Sequence, residues 1–414
     1  MEIVCVESRI MCGIAGIINV TPGGILPDLL ERMTKTLKHR GPDDEGYVLI
    51  NSLTGGYEPR SANDSDPALR ATMKHLSAPI DFQFNVALGH RRLSILDLSP
   101  AGHQPMGNEE GNIWILHNGE IYNHSELRKE LKDKGHVFKS RTDTEVILHS
   151  YEQWGEACQN RFNGMWAFAI WDSRSNKLFC SRDRFGIKPF YYFFNSEKFV
   201  FASEIKALLA TGLIEKKPNN QSLFDYMAYG LKDCTEETYF DGIKQLRGGH
   251  SLEFEANRKE FKIQRYYDIP LIRRSKDFTD EEYARQFRQL LEDSIRLRLE
   301  SDVPSGTCLS GGLDSSSIVC LIDKLGHEKG PRLPGGGTVH KTFSARFTEK
   351  GYDEGPFIQD VVKKTGVDAY YAFPTGESTW EKLPLLIWHQ EEPCGRQYLS
   401  GQWDVYKLAK QSGV

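Results

Sequence analysis

Two short segments of the chain carry residues whose types and order are suited to chemistry. Met11-Cys12-Gly13-Ile14 lies near the start, and Leu309-Ser310-Gly311-Gly312-Leu313-Asp314-Ser315-Ser316 lies in the second half. A cysteine attacks a carbonyl carbon as the thiolate, and a glycine-rich turn that enters a helix can surround a phosphate with backbone N–H groups. The chain therefore combines a candidate nucleophile with a candidate nucleotide loop.

Cys12 is suited to nucleophilic catalysis if it is the first residue of the mature chain. The pKa of an α-amino group is about 8 and that of a free thiol is about 8.5, so a terminal cysteine carries its own general base. The amide nitrogen of an internal cysteine cannot accept the proton. We therefore expect residues 1–11 to be absent, either as a propeptide or because Met11 is the initiator. The competing interpretation is a structural cysteine buried at the start of a strand.

The glycine-rich segment differs from the GxxxxGK[ST] loop of kinases and GTPases. A short apolar strand, Thr307–Leu309, is predicted before it and a helix, Ser315–Leu325, after it. The hydroxyls of Ser310, Ser315 and Ser316 can bind pyrophosphate oxygens, and the Asp314 carboxylate is a candidate magnesium ligand. A glycine turn capped by serine is the competing interpretation.

The residues around Cys12 predict a layered α+β domain, because strands from Gly13 to about Ala210 are broken by only a few helices. The predicted strands are Gly13–Val20, Val86–Leu88, Ile113–His117, Trp166–Trp171, Phe190–Phe194 and Lys198–Phe201, the last two forming a hairpin. The predicted helices are Leu26–His39, Ser125–Lys134, Asp143–Trp154 and one that begins at Ser203. The polar stretch from Asn51 to Asp81 is predicted to be a surface insertion.

The second half of the chain has a different pattern, with strands and helices in alternation. The predicted elements after Asp277 are the amphipathic helix Glu281–Glu300, the strand and helix around the glycine loop, the strand His340–Phe347 and the helix Tyr352–Thr365. Such alternation is typical of a parallel sheet covered by helices. We expect the domain border between Thr211 and Gln245, which divides the chain into an extension (1–11), a first domain (12–215) and a second domain (216–414).

Composition narrows the class of protein. The chain has 414 residues, 39% of them hydrophobic and 26% charged, and a net charge of −5, so a nucleic-acid-binding surface is not expected. No apolar run reaches the roughly 20 residues of a membrane span. The eight cysteines are scattered without CxxC pairs, which favours reduced thiols in a cytoplasmic protein over disulfides or a zinc site.

Seven blocks, in order, resemble the glutaminase domain of class II glutamine amidotransferases, in which the nucleophile is N-terminal, and the whole chain is similar to the asparagine synthetase family. The blocks are Cys12–Gly16, Arg40–Asp43, Gly89–Ile95, Asn118–Asn123, Asp143–Ile147, Arg182–Pro189 and Ala202–Leu208. The resemblance implies a four-layer αββα Ntn-hydrolase sandwich. It implies that an incomplete α/β parallel-sheet nucleotide-binding domain of the ATP-pyrophosphatase type follows.

The resemblance also assigns residues to two sites. Cys12 would be the nucleophile, with the Asn118 side chain and the Gly119 N–H as donors to the oxyanion. Arg92 would grip the α-carboxylate of glutamine, and Asp143 with Glu120 would pair with its ammonium. The implied glutamine pocket is Arg92, Leu93, Ser94, Ile95, Leu96, Asn118, Gly119, Glu120 and Asp143. The implied ATP site is Leu309, Ser310, Gly311, Gly312, Leu313, Asp314, Ser315, Ser316 and Ala345, with Asp314 on magnesium.

Taken singly, these residues have simpler interpretations. Arg92 alone fits a surface salt bridge, Asn118-Gly119 a hairpin turn, and Asp143 a helix cap. Arg182, Asp183 and Lys188 are interpreted as framework residues.

The activity implied by the resemblance is synthesis of asparagine from aspartate, with ATP, Mg²⁺ and ammonia released from glutamine. The expected protein is a cytoplasmic enzyme, and a homodimer is one expected form of it. Compared with the family, the synthetase half is expected to be incomplete, leaving a fragment with glutaminase activity only. Three alternatives stay open. They are amidation of another carboxylate (a glycan, peptide or natural-product precursor), a β-lactam-synthetase-like enzyme that does not use glutamine, and an inactive binding fragment.

Overall fold

A computed structural model describes residues 11–21, 24–270, 278–329, 340–348, 353–393 and 398–414. The described residues up to Pro270 form one compact unit, and those after it form another. Among these residues, no helix combines the length and apolar character needed to cross a membrane.

Two β-sheets form the centre of the first unit. Its strands are β1 (Gly13–Asn19), β2 (Asp44–Ile50), β3 (Tyr57–Arg60), β4 (Val86–Arg92), β5 (Met106–Gly107), β6 (Ile113–Ile121), β7 (Gly164–Asp172), β8 (Lys177–Arg182), β9 (Tyr191–Phe194), β10 (Lys198–Ala202), β11 (Lys244–Gln245), β12 (His250–Glu255) and β13 (Glu260–Arg265). They pair antiparallel in two sheets, with orders β11-β9-β10-β1-β4-β2-β3 and β13-β12-β8-β7-β6-β5.

The described residues of this unit also form helices. They are α1 (Pro27–Thr36), α2 (Pro67–Thr72), α3 (His124–Asp133), α4 (Asp143–Trp154), α5 (Ile205–Leu209) and α6 (Asn220–Tyr229), with 3₁₀ turns at Pro100–Gly102 and Gly155–Arg161. Apolar residues of α1 and α5 pack on the first sheet, and those of α3 and α4 pack on the second. The two sheets share a third core between them. These layers are the expected αββα sandwich, so that expectation is confirmed.

Strand β1 shows why its sequence is apolar throughout. Ile14 and Ile18 face the core between the sheets, whereas Ala15 and Ile17 face the core beneath α1. Successive side chains of a strand point to opposite faces, and here both faces are covered. A continuous apolar run is therefore needed, and it is what made this strand predictable.

The second unit contains a parallel sheet in the order β14 (Gly306–Cys308), β15 (Lys341–Ala345) and β16 (Asp368–Ala372). Its helices are α7 (Asp280–Arg298), α8 (Leu313–Lys329), α9 (Gly355–Thr365), α10 (Gly376–Gln390) and α11 (Tyr398–Gln411). Leu309, Val319, Ile358, Val361 and Val367 form its buried core. The expected parallel α/β arrangement is confirmed, although the expected helix start at Tyr352 lies outside the described residues.

Two expectations differ from the structure. The stretch from Asn51 to Asp81 is more ordered than a plain insertion, because it contains β3, which extends the first sheet, and α2. The units divide after Pro270, not at residue 215. The reason is that β12 pairs along β8 and β13 along β12, so residues 250–265 complete the second sheet of the sandwich.

Candidate active site and nucleotide loop

Cys12 directly precedes β1 and its thiol is nearly buried. The Leu93 N–H donates to Sγ at 3.4 Å, and Sγ lies 3.6 Å from the Leu93 carbonyl oxygen. The pKa of the Cys12 thiol is raised to about 11, chiefly by burial and to a lesser extent by the charges of Glu120 and Asp143, while the Leu93 hydrogen bond and the charge of Arg92 act in the opposite direction. The thiol is therefore protonated near neutral pH and needs a base before it can attack.

The main chain of Cys12 is held by a buried ion-pair network. The Arg40 Nε–H donates to the Cys12 carbonyl at 3.1 Å, and its Nη1 donates to Glu204 Oε1 at 3.0 Å. The other oxygen of Glu204 lies 2.6 Å from Lys206 Nζ. Arg40 and Glu204 both lie in blocks that resemble the family, but the resemblance gave neither residue a role. Their position in those blocks was the only sequence sign of their importance, and only the fold shows that they contact each other.

Asn118 lies in β6 with a completely buried side chain. Among the described residues, neither its amide nitrogen Nδ2 nor its oxygen Oδ1 has a hydrogen-bond partner. A buried polar group without a partner typically costs about 1–3 kcal/mol, so it is rare unless a ligand or water supplies the partner. The amide is thus available to bind a substrate oxygen.

Gly119 follows Asn118 at a place where the backbone is closely packed. A Cβ at this position would lie 2.1 Å from the Met165 carbonyl oxygen and 2.7 Å from the Trp166 Cα. Glycine is therefore required by the neighbouring strand β7, independently of any role in catalysis.

The carboxyl groups of Glu120 and Asp143 lie near each other and near the thiol. Asp143 is the first residue of α4, and its Oδ2 accepts the Ile121 N–H at 2.8 Å. Burial raises the pKa of Glu120 well above its usual value, the charge of Asp143 adds to this, and that of Lys188 opposes it. A buried and a half-buried carboxyl in one place are suited to binding a cation such as an ammonium group.

Arg92, which is expected to bind the glutamine carboxylate, lies at the end of β4. Its guanidinium donates to the main-chain carbonyls of Ser99 at 3.0 Å and Leu96 at 3.2 Å, and also to that of Asp97. These bonds fix the loop after β4, in which Leu93, Ser94, Ile95 and Leu96 are half-buried. The structure thus brings the expected pocket residues to one place. It also shows that Arg92 stabilises the loop that follows β4, which the sequence did not suggest.

The framework interpretation of Arg182 and Asp183 agrees with their contacts. Asp183 is fully buried and accepts the N–H groups of Phe185, Ile187 and Lys188 at 3.0 Å. Arg182 donates to main-chain carbonyls, including that of Lys188 at 2.6 Å. Lys188 differs, because its charge acts on the pKa of Glu120 as described above.

In the second unit, the glycine loop follows β14 and enters α8. The Ser310 N–H donates to Ser315 Oγ at 3.2 Å, and the Gly312 N–H donates to Ser310 Oγ at 3.3 Å. Gly311 has φ = +87°, a conformation that favours glycine. Asp314 and Ser316 lie in the first turn of α8, where the helix end favours an anion.

The other expected ATP-site residues lie at the same edge of the parallel sheet. The Leu309 N–H donates to the Phe343 carbonyl at 2.9 Å, just beyond β14, and Ala345 ends β15. Ligands of open α/β sheets bind outside the carboxyl ends of the strands. The exposed Asp314 carboxylate offers oxygen atoms of the kind that Mg²⁺ prefers.

Comparisons with known proteins agree with this division. Residues 78–267 match the family model described as a glutamine amidotransferase domain, and residues 286–414 match that described as asparagine synthase. The chain is 34% identical to a putative glutamine-hydrolysing asparagine synthetase 2 of Methanocaldococcus jannaschii, over 97% of this chain and 72% of that protein. It is also 34% identical to asparagine synthetase 3 of Bacillus subtilis, over 95% of this chain and 58% of that protein.

Two further comparisons are more distant. Amidase chry2 of Gibberella zeae is 32% identical over 75% of this chain and 46% of its own length. The solved structure of glutamine phosphoribosylpyrophosphate amidotransferase from Bacillus subtilis, in complex with ADP and GMP, matches with a TM-score of 0.48 and 16% identity, covering 94% of this chain and 95% of that one. The chain thus spans between about half and three-quarters of the length of these curated relatives.

Proposed function

We propose that the protein makes asparagine from aspartate with ammonia taken from glutamine, because this chain belongs to the family of glutamine-hydrolysing asparagine synthetases. The observation that carries the proposal is the buried Asn118 amide, which has no partner among the described residues and lies in the strand that also carries Glu120. An amidotransferase needs such a donor for the oxyanion that forms when a thiolate attacks an amide.

In the first unit, Cys12 attacks the side-chain amide of glutamine. Its own α-amino group takes the thiol proton once Cys12 is the terminal residue, because an α-amino group has a pKa of about 8 and a useful fraction of it is unprotonated near neutral pH. The Asn118 amide and the Gly119 N–H receive the oxyanion, ammonia leaves with a proton, and water cleaves the thioester to glutamate. Arg92 binds the α-carboxylate of glutamine, and Asp143 with Glu120 binds its ammonium, in a pocket lined by residues 93–96.

In the second unit, the loop from Ser310 to Ser316 binds the pyrophosphate part of ATP through main-chain N–H groups and serine hydroxyls. Asp314 would hold Mg²⁺, which would offset the negative charge of the phosphates, and Leu309 and Ala345 would border the nucleotide. The side-chain carboxylate of aspartate attacks the α-phosphorus of ATP and displaces pyrophosphate, and ammonia then attacks the acyl-adenylate to form the amide with release of AMP.

The glutaminase half is tested with three proteins: the chain beginning at Met1, the chain beginning at Cys12, and a Cys12→Ala variant of the latter. We expect glutamate release only from the chain that begins at Cys12. Cys234→Ala serves as the matched control, because Cys234 is an exposed cysteine outside the site. A folded chain that begins at Cys12 and releases no glutamate would overturn the assignment.

A second candidate function is amidation of a different carboxylate, favoured by the similarity to an enzyme named as an amidase. The two functions differ in the carboxylate that is adenylated, so an experiment that identifies this acceptor distinguishes them. Aspartate labelled with ¹⁸O in its side-chain carboxylate would transfer label to AMP if aspartate is adenylated. Pyrophosphate release that does not depend on aspartate would favour the other acceptor class.

A further inference from the structure

Three side chains next to α4 converge on one point, outside the site described above. His149 and Glu152 lie three residues apart on α4, so they share a face of the helix. His136 approaches them from the connection between α3 and α4. The ligand atoms are His136 Nδ1, His149 Nδ1 and Glu152 Oε2, which lie within 4.8 Å of one another.

The distances within this triangle fit a tetrahedral metal site. The two Nδ1 atoms are 3.2 Å apart, and Glu152 Oε2 lies 2.8 Å from His149 Nδ1 and 3.7 Å from His136 Nδ1. Tetrahedral Zn²⁺ with bonds of about 2.0–2.1 Å places its nitrogen and oxygen ligands about 3.3 Å apart. The three atoms therefore occupy three corners of such a tetrahedron with little movement.

The contact of the outer ring nitrogen of His136 favours the tautomer that a metal needs. His136 Nε2 lies 3.2 Å from Gln153 Oε1, an acceptor, so Nε2 carries the hydrogen and Nδ1 presents its lone pair. His149 Nε2 is buried and lies 3.9 Å from Glu145 Oε1, beyond hydrogen-bonding distance. His149 Nδ1 and Glu152 Oε2 lie 2.8 Å apart and share a hydrogen bond, which a cation can replace by binding both atoms together with His136 Nδ1.

Neighbouring side chains contact Glu152 and His149 and leave one side of the cluster open to solvent. Asn108 Nδ2 donates to Glu152 Oε1 at 2.9 Å, which leaves Oε2 for the centre, and the Phe138 ring packs edge-on against His149. The side chain of His149 is 3% exposed, whereas those of His136 and Glu152 are 16% and 18% exposed. One side of the cluster is therefore walled by protein and the other is open to a water molecule as fourth ligand.

We propose that His136, His149 and Glu152 bind a divalent transition-metal ion, with Zn²⁺ as the preferred ion. The bound ion would cross-link the α3–α4 connection to helix α4. The ion has a structural role. Helix α4 begins at Asp143, so fastening this helix also steadies a carboxylate near the Cys12 thiol. The cysteine spacing gave no sign of this site, because the ligands are histidine and glutamate from separate elements.

The test is direct Zn²⁺ binding by the purified full chain, first freed of metal with a chelator. We expect one Zn²⁺ per chain by titration calorimetry, a higher Tm in the presence of Zn²⁺, and Zn–N/O distances of about 2.0–2.1 Å by X-ray absorption. His136→Gln and Glu152→Gln should each lower the Zn²⁺ affinity by at least about 100-fold and remove the Tm increase. His75→Gln is the matched control, because the His75 ring contacts only Ser77 among its described partners and lies outside the cluster.

Two results would overturn the proposal. One is a wild-type chain that binds no stoichiometric Zn²⁺, which would mean that a proton alone holds the cluster together. The other is equal Zn²⁺ binding by the wild type and the His136→Gln variant. His136 belongs to a connection rather than to a helix, so this variant keeps α4 intact and the test does not depend on His149 variants folding.

Discussion

The carboxylate of Asp143 accepts the backbone N–H of Ile121 at 2.8 Å, and this bond ties the first residue of α4 to the strand that carries Asn118 and Glu120. The same carboxylate acts on the pKa of the Cys12 thiol. One oxygen is therefore used for structure, and the charge remains available to a substrate ammonium.

This double role predicts that charge and hydrogen bonding at Asp143 can be separated. Asp143→Asn keeps an acceptor for the Ile121 N–H but removes the charge. We expect the KM for glutamine to rise about 10- to 100-fold, because this is the change in binding that corresponds to the free energy of a charged hydrogen bond. The free energy of unfolding should change little. Asp143→Ala should in addition lower the free energy of unfolding by about 1–3 kcal/mol, because the Ile121 N–H loses its partner. An unchanged KM in Asp143→Asn would contradict the assigned role.

Asn118 should be important for catalysis and unimportant for stability. Asn118→Leu keeps the branched shape of the side chain but removes both polar atoms, which have no partner among the described residues. We expect kcat for glutamine hydrolysis to fall about 10²- to 10³-fold, while the free energy of unfolding stays the same or increases. Steady-state kinetics and urea denaturation of the chain that begins at Cys12 measure the two quantities. A large loss of stability without loss of kcat would indicate a purely structural residue.

Gly119 should tolerate no side chain. The Cβ of Gly119→Ala would lie 2.1 Å from the Met165 carbonyl oxygen, which is backbone and cannot rotate away. We expect a loss of about 1–3 kcal/mol in the free energy of unfolding. Gly24→Ala is the matched control, because the nearest atom to its Cβ is 3.8 Å away. Similar stability of the two variants would show that β6 and β7 can separate at this point.

The network around Glu204 predicts a stability that depends on pH. Burial by itself would raise the pKa of Glu204, but the His39 hydrogen bond and the charges of Arg40 and Lys206 lower it far below the usual value. Because the folded pKa is depressed, the stabilisation is complete above the unfolded pKa of about 4.3 and is lost as the pH falls towards the folded pKa. Glu204→Gln should be less stable by about 3–5 kcal/mol at pH 7, since Arg40 stays buried without its carboxylate.

Urea denaturation between pH 3 and pH 7 measures this effect. The difference in the free energy of unfolding between wild type and Glu204→Gln should be constant at neutral pH and shrink below about pH 4.3. Glu197→Gln is the control, because the Glu197 carboxylate is 59% exposed. A difference that does not change with pH would mean that Glu204 titrates normally in the folded protein.

Much of the fold could be predicted from local patterns. Helix α4 has the ends predicted for it, and the structure shows their cause: the Thr142 side chain caps its first turn and Gly155 is its C-cap. The glycine loop was predicted between a strand and a helix, because glycine and serine at these spacings favour a turn of the backbone. Strands β12 and β13 were not predicted. Strand β13 is exposed along its length and has no buried apolar face to reveal it, whereas β12 does bury Leu252 and Phe254, at alternate positions, in the core between the sheets.

The sequence by itself determined the candidate nucleophile, the pocket blocks, the glycine loop and the two kinds of sheet, because each depends on residue type and short-range periodicity. The tertiary structure decided the border between the units, the bond from Arg40 to the Cys12 carbonyl and the meeting of His136 with His149 and Glu152. These features join residues that are distant in the chain or that project from different elements. Their partners follow from strand pairing and helix packing, which no local pattern specifies.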